Sequence, residues 1–251
     1  MRHRIMLAEI VIIIGIMLIT MFGCGLSKEE TIKKALRDRY GEDFNVHEID
    51  CFENSFRAIV SPTNNKGLLF YAEINNDGSG LEDHYYNAYA SFLMQKLLKE
   101  ELKQFFPDSY IRAEINGMHV KNQELDFRNM TIEEILDNSI ISDEFGYLGV
   151  DIYINEEKGT NKEYEKEYDF FSEKVTNYVN EKKLLPIGVC FWYVQEDSFD
   201  RIVQYYEEDI DYDSYFQEQI RGEYKKEIVP FTEKHFTTKE EYIKKREEIE
   251  K

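Results

Sequence analysis

The sequence predicts an α+β fold in which antiparallel β-sheet is covered by packed helices. Three features predict it. Hydroxyl-x-x-Glu boxes at Ser27, Thr131, Thr160 and Thr238 mark helix starts, since the hydroxyl caps a free N–H and the Glu reaches back. Three strand-like runs between residues 44 and 75 are joined by turns too short for a crossover, which favours an antiparallel meander. A helical stripe beginning at Tyr164 is followed by a strongly apolar strand, Leu185–Val194. The echo between Ala72-Glu73-Ile74-Asn75 and Ala113-Glu114-Ile115-Asn116 leaves open two structurally related halves.

In chain order the first element is a leader. Arg2 and Arg4 precede an apolar run from Ile10 to Phe22 that contains no Asp, Lys or Arg. Its 13 residues match the apolar region of a signal peptide. Counted from Ile5 the run is 18 residues, close to the minimum for a spanning helix, and Glu9 at its edge is compatible with both readings. Met21-Phe22-Gly23-Cys24 resembles the lipobox of bacterial lipoproteins. Gly23 and Cys24 take that family's last two places; Met21 and Phe22 stand where it has Leu and a small residue. The resemblance implies diacylglycerol on Cys24, cleavage before it, and a signal peptide over 1–23. The body, 24–251, then lies outside the membrane, tethered by acyl chains worth about 0.8 kcal/mol per buried CH₂. The alternative is a single-pass signal anchor that keeps its leader, with Arg2 and Arg4 again on the inner side.

A first helix spans about Lys28 to Tyr40, burying Ile32, Ala35 and Leu36, and Gly41 ends it. Strands follow over Phe44–Phe52, Ser55–Ser61 and Leu68–Asn75, separated by Glu53-Asn54 and Pro62 to Gly67. A second helix over Asp83–Phe106 carries a wide apolar arc that includes Tyr85, Tyr89, Phe92 and Leu98, and Pro107 stops it. Tyr110–Val120 reads as one strand. The polar run 121–130 is the expected seam of the body. A short helix over Ile132–Asn138 and a strand over Tyr147–Asn155 come next. Tyr164, Tyr168, Phe171, Val175 and Tyr178 form one helical stripe. In Leu185–Val194 both faces are apolar, which predicts a central strand covered on both sides. A charged helix follows Thr238.

The formal charge is −19, and removal of the leader takes away two positive charges and one negative, leaving −20. That excludes nucleic acid as a partner, which needs a basic surface, and a second, electrostatic contact with anionic lipid. It favours basic partners or divalent cations. With Cys24 acylated, Cys51 and Cys190 remain, and their strand-like settings predict two buried thiols rather than a bridge.

The loop from Asn75 to Asp83 is the candidate metal site. Oxygen-bearing side chains at Asn75, Asp77 and Ser79, followed by Gly80, resemble the start of a calcium loop, with Glu82 or Asp83 to complete it. Tyr86 occupies the place of the closing bidentate Glu. The plainer reading is a polar turn in which Asp83 caps the second helix. Asp209, Asp211 and Asp213 alternate in a second acidic run without calcium-loop spacing. His47, His84, His119 and His235 are not paired at zinc-binding intervals, and no Gly-x-Ser-x-Gly elbow or phosphate loop occurs, so no catalytic residue is assigned. The 18 Tyr and 17 Phe would stack on a ligand only where they are exposed rather than in the core.

The function expected is therefore a lipid-anchored extracytoplasmic binding module at a bacterial cell envelope, without catalysis of its own. Its partners are the membrane, through the lipid, and an envelope ligand or protein. The alternatives are a cell-wall-directed hydrolase using paired carboxylates and a calcium-binding module.

Overall fold

The computed structural model of the chain describes residues 28–121, 126–142, 146–156, 163–175, 187–207 and 238–249. Cys24, the expected signal peptide over 1–23, Asp209, Asp211, Asp213 and His235 lie outside them. The architecture is α+β, with antiparallel sheets and helices packed against them. The chain divides into two compact units between His84 and Tyr85. The polar run 121–130, expected as a seam, falls inside the second of them.

In the first unit, helix α1 (28–40) buries Ile32 and Leu36. Gly41 ends it in the left-handed region, at φ 69°, and its N–H donates to Arg37 O at 2.7 Å. Strands β1 (Phe44–Cys51), β2 (Ser55–Pro62), β3 (Phe70–Asn75) and β4 (Glu82–Asp83) then pair in order as an antiparallel meander. Alternation puts Phe56, Ala58, Val60, Phe70, Ala72 and Ile74 on one face, all buried. Arg57, Tyr71 and Glu73 point to the other. A bulge between Val46 and Glu48 bends the edge strand.

The second unit begins with helix α2 (Tyr85–Leu102), whose buried residues are Tyr85, Tyr86, Ala90, Met94, Leu98 and Leu102. The helix starts two residues later than expected because Asp83 belongs to the β4 ladder. Phe92, placed in the apolar arc by the sequence, is 40% exposed, and Ala90 and Met94 do the packing instead. The expected long strand after Pro107 is two: β5 (Ser109–Asn116) and β6 (Met118–Val120). Gly117, at φ 68°, turns the chain between them. β6 pairs with β7 (Ser139–Ile141) as a separate two-stranded sheet.

Helix α3 (Ile132–Asp137) has the full capping box: Thr131 Oγ1 accepts from Glu134 N–H, and the Glu134 carboxylate accepts from Thr131 N–H. Thr131→Ala should cost about 1 kcal/mol in urea unfolding, the usual worth of a cap. The box at Thr160, and Tyr178 of the stripe that follows it, lie outside the described residues. Helix α4 (Tyr164–Phe170) follows Glu163, which makes no side-chain cap, and continues through a wide turn over Phe171–Val175.

Strand β8 (Tyr147–Asn155) pairs antiparallel with β5 and parallel with β9 (Ile187–Val194), in the order β5-β8-β9. Among the described residues, the strand expected to be central has β8 as its one lateral neighbour. Its two apolar faces report cover above and below, not strands on either side. On one face Phe191 meets Phe106 and Phe170, with ring centroids 6.0 and 6.5 Å apart. On the other, Trp192 stacks on Tyr153 at 6.2 Å in a cluster completed by Ile202 of helix α5 (Glu196–Glu207). Helix α6 (Lys239–Ile249) closes the described chain and packs against α4.

Candidate functional site

The sequence singles out the loop after β3. Asn75 N–H donates to Ser79 O, and Gly78 N–H to Asn75 O, both at 2.9 Å. Asp77 Oδ1 accepts from Ser79 N–H at 2.9 Å and from Ser79 Oγ at 2.6 Å, and these bonds hold its carboxyl below the usual range. Asn75 Nδ2 reaches Ser79 Oγ at 3.2 Å. Asn75, Asp77 and Ser79 thus meet, but around Ser79. Glu82 lies opposite Glu73 on the β3–β4 ladder. Asp83 Oδ2 accepts from Arg39 at 2.5 Å and its Oδ1 from Tyr40 at 2.7 Å, tying β4 to α1. Burial, then the Asp83 charge, pushes the Tyr40 phenol up and keeps it a donor. A cation in this loop would have to displace Ser79 from Asp77 and Arg39 from Asp83. Among the described residues no group of three or more His, Cys, Asp and Glu is placed to hold a metal ion. His47 Nε2 lies 2.9 Å from Ser61 Oγ, and His84 and His119 are exposed.

Cys51 and Cys190 are both free thiols, but Cys51 is exposed, contrary to the expectation of two buried ones. It ends the edge strand β1, where Lys28 Nζ donates to its Sγ at 3.0 Å. Cys190 is pushed up to about 12 by burial and then by the nearby Asp151. A thiol whose folded value is raised favours folding below its ordinary value near 9, and that contribution is lost as pH rises toward about 12. A maleimide at pH 8 should therefore label Cys51 in the folded protein and leave Cys190 unmodified until denaturant is added, as peptide mapping would show.

Two groupings were not singled out by the sequence. The first is the solvent face of the meander. Asp50, Arg57, Glu73 and Glu82 form one cross-strand row over its four strands. Arg57 Nε and Nη2 donate to Glu73 Oε2 at 3.1 and 2.9 Å. Ser55 donates to Glu73 at 2.7 Å, and this bond, then Arg57, holds the carboxyl low. Phe52 and Tyr71 are 49% and 39% exposed, and the Arg57 guanidinium sits 5.6 and 5.9 Å from their ring centroids.

The second grouping lies among α4, β9 and α6. Glu167 is 0% exposed. Its Oε1 accepts from Tyr193 at 2.7 Å and from Arg246 at 3.1 Å, and its Oε2 from Tyr242. Arg246 also lies over the Tyr164 ring, 5.0 Å from the centroid. Burial, then the Glu167 charge, pushes both the Tyr193 and Tyr242 phenols far above their usual range, so both serve as donors. Burial works against the charge on Arg246, but Glu167 and the tyrosines outweigh it and raise its value. The sequence carries a trace of this site. Tyr164, Glu167, Tyr168 and Phe171 stand at i, i+3, i+4 and i+7, so a carboxylate interrupts the aromatic stripe.

No helix among the described residues is long and apolar enough to cross a membrane. No family model matches the chain, and no curated protein matches it. Among solved structures, the chain is similar to a DUF5037 family protein from Ruminococcus gnavus, with 21% identity, a TM-score of 0.51, and coverage of 81% of this chain and 89% of that one. At that identity the likeness is one of fold alone, and the fold the two chains share is α+β.

Proposed function

We propose that this is a lipid-anchored extracytoplasmic protein that binds a basic segment of an envelope protein through the open face of its first sheet. The anchor rests on the leader and on Cys24 in its lipobox-like setting. The binding reading rests on one observation: two exposed rings, Phe52 and Tyr71, flank a row that holds Asp50, Glu73 and Glu82 against a single Arg57. Rings and carboxylates together complement a Lys- or Arg-bearing segment. Glu73 and Glu82 are also direct cross-strand neighbours of like charge, a repulsion that a bound cation relieves. The chain's net charge of −19 steers the same class of partner.

Two measurements test the two halves of this reading. Intact mass of protein made in a bacterial host should show loss of residues 1–23 and added lipid, and Cys24→Ser should abolish both. Retention of the leader without lipid would favour the signal anchor. A Lys/Arg-rich peptide titrated against the soluble body should bind and weaken with salt. Phe52→Ala with Tyr71→Ala should weaken it about tenfold or more, a loss of about 1.4 kcal/mol. Unchanged affinity in that double variant would remove the sheet face from consideration.

A further inference from the structure

Helix α6 is attached in an unusual way. Of its side chains described, two are buried: Tyr242 at 1% exposure and Arg246 at 7%. They stand one turn apart, on one face, and both end on Glu167. Lys239 adds a partly exposed ion pair with Asp169 at 2.9 Å. The remaining described side chains of the helix are half-buried or exposed, and most are charged. A leucine stripe would hold such a helix without the desolvation cost of an ion pair.

The receiving surface is shaped for one kind of group. Glu167 offers a carboxylate with no exposure, Tyr193 orients it from β9, and Tyr164 supplies an aromatic face beside it. Carboxylate edge plus aromatic face is the complement of a planar guanidinium: the edge takes the N–H fork and the ring takes the flat cation. The ammonium of lysine, a strongly hydrated point charge, matches neither feature as well. Arg246 fills the site incompletely, since its Nε is buried with no hydrogen-bond partner. An imperfectly satisfied ion pair regains hydration when it parts, which brings the undocked helix closer in free energy than an apolar seat would.

We infer that Tyr164, Glu167 and Tyr193 form a guanidinium-recognition site, that α6 is the ligand it holds in cis, and that a helical segment with Tyr and Arg four residues apart competes for it. This site is in the second unit and is independent of the sheet face proposed above; Phe52→Ala with Tyr71→Ala leaves it unaltered.

The test uses the full chain and a fluorescent peptide of residues 238–249, read by anisotropy. Wild type, its guanidinium position already filled, should bind the peptide about tenfold or more weakly than Arg246→Ala, in which that position is vacant and Tyr242 and Lys239 alone hold the helix. The Arg246→Ala chain should in turn prefer the native peptide over one carrying Lys at the Arg246 place by about tenfold, and adding Glu167→Gln should abolish the preference. Circular dichroism confirms that the variants fold. If Arg246→Ala does not fold, Arg246→Lys, which keeps the charge, decides by the same preference. Binding of both peptides equally, or of neither, by a folded variant overturns the assignment.

Discussion

Glu167→Ala is expected to destabilise the packing of α4 and α6 by about 3–5 kcal/mol, the cost of leaving a buried cation without its counter-charge. Arg246 would remain behind, 7% exposed, and Tyr193 and Tyr242 would each lose the acceptor that their phenols now share. Urea unfolding followed by far-UV circular dichroism measures the loss. The double variant Glu167→Leu with Arg246→Met should recover part of it, because exchanging a whole buried pair for apolar side chains is close to neutral. It should not recover all of it, since two phenols stay unsatisfied at about 1–3 kcal/mol each. A Glu167→Ala change that leaves the midpoint within about 0.5 kcal/mol of wild type would show that the site is solvated in solution.

Phe170→Ala is expected to cost about 3–5 kcal/mol, for a different reason. Phe170 is fully buried, and its ring packs edge-on against Phe105 at 5.7 Å and Phe191 at 6.5 Å. Truncation removes the transfer energy of the ring and leaves a cavity between α4 and β9 that the neighbouring aromatics cannot refill. The two variants separate the forces at this junction. Raising salt should leave the Phe170→Ala loss unchanged, since burial of an uncharged ring is not screened. Phe170→Leu, which keeps most of the volume, should restore more than half of the stability in the same urea titration.

The elements legible in the sequence were those set by neighbouring residues. Gly41 marked the end of α1 because only a residue without a Cβ enters the left-handed region freely. The meander of the first unit followed from alternating burial and turns too short for anything but antiparallel return. The Thr131 box was readable because both of its hydrogen bonds close within three residues. Gly117 was the local signal passed over: a glycine inside a strand pattern marks a break, and here it sends β6 to another sheet.

What the chain determined by itself, then, was local: an acidic, aromatic-rich α+β composition and many of the starts and stops of its elements. Tertiary structure alone decided who meets whom. Apolar residues on both faces of β9 announced that it is covered, but periodicity is blind to lateral neighbours, so its parallel pairing with β8 was not readable. Glu167 and Arg246 are separated by 79 positions. Each looks like an ordinary surface charge until the fold removes water from both. Their pairing is then dictated by the cost of leaving either one alone, a quantity that exists only once the chain has closed around them.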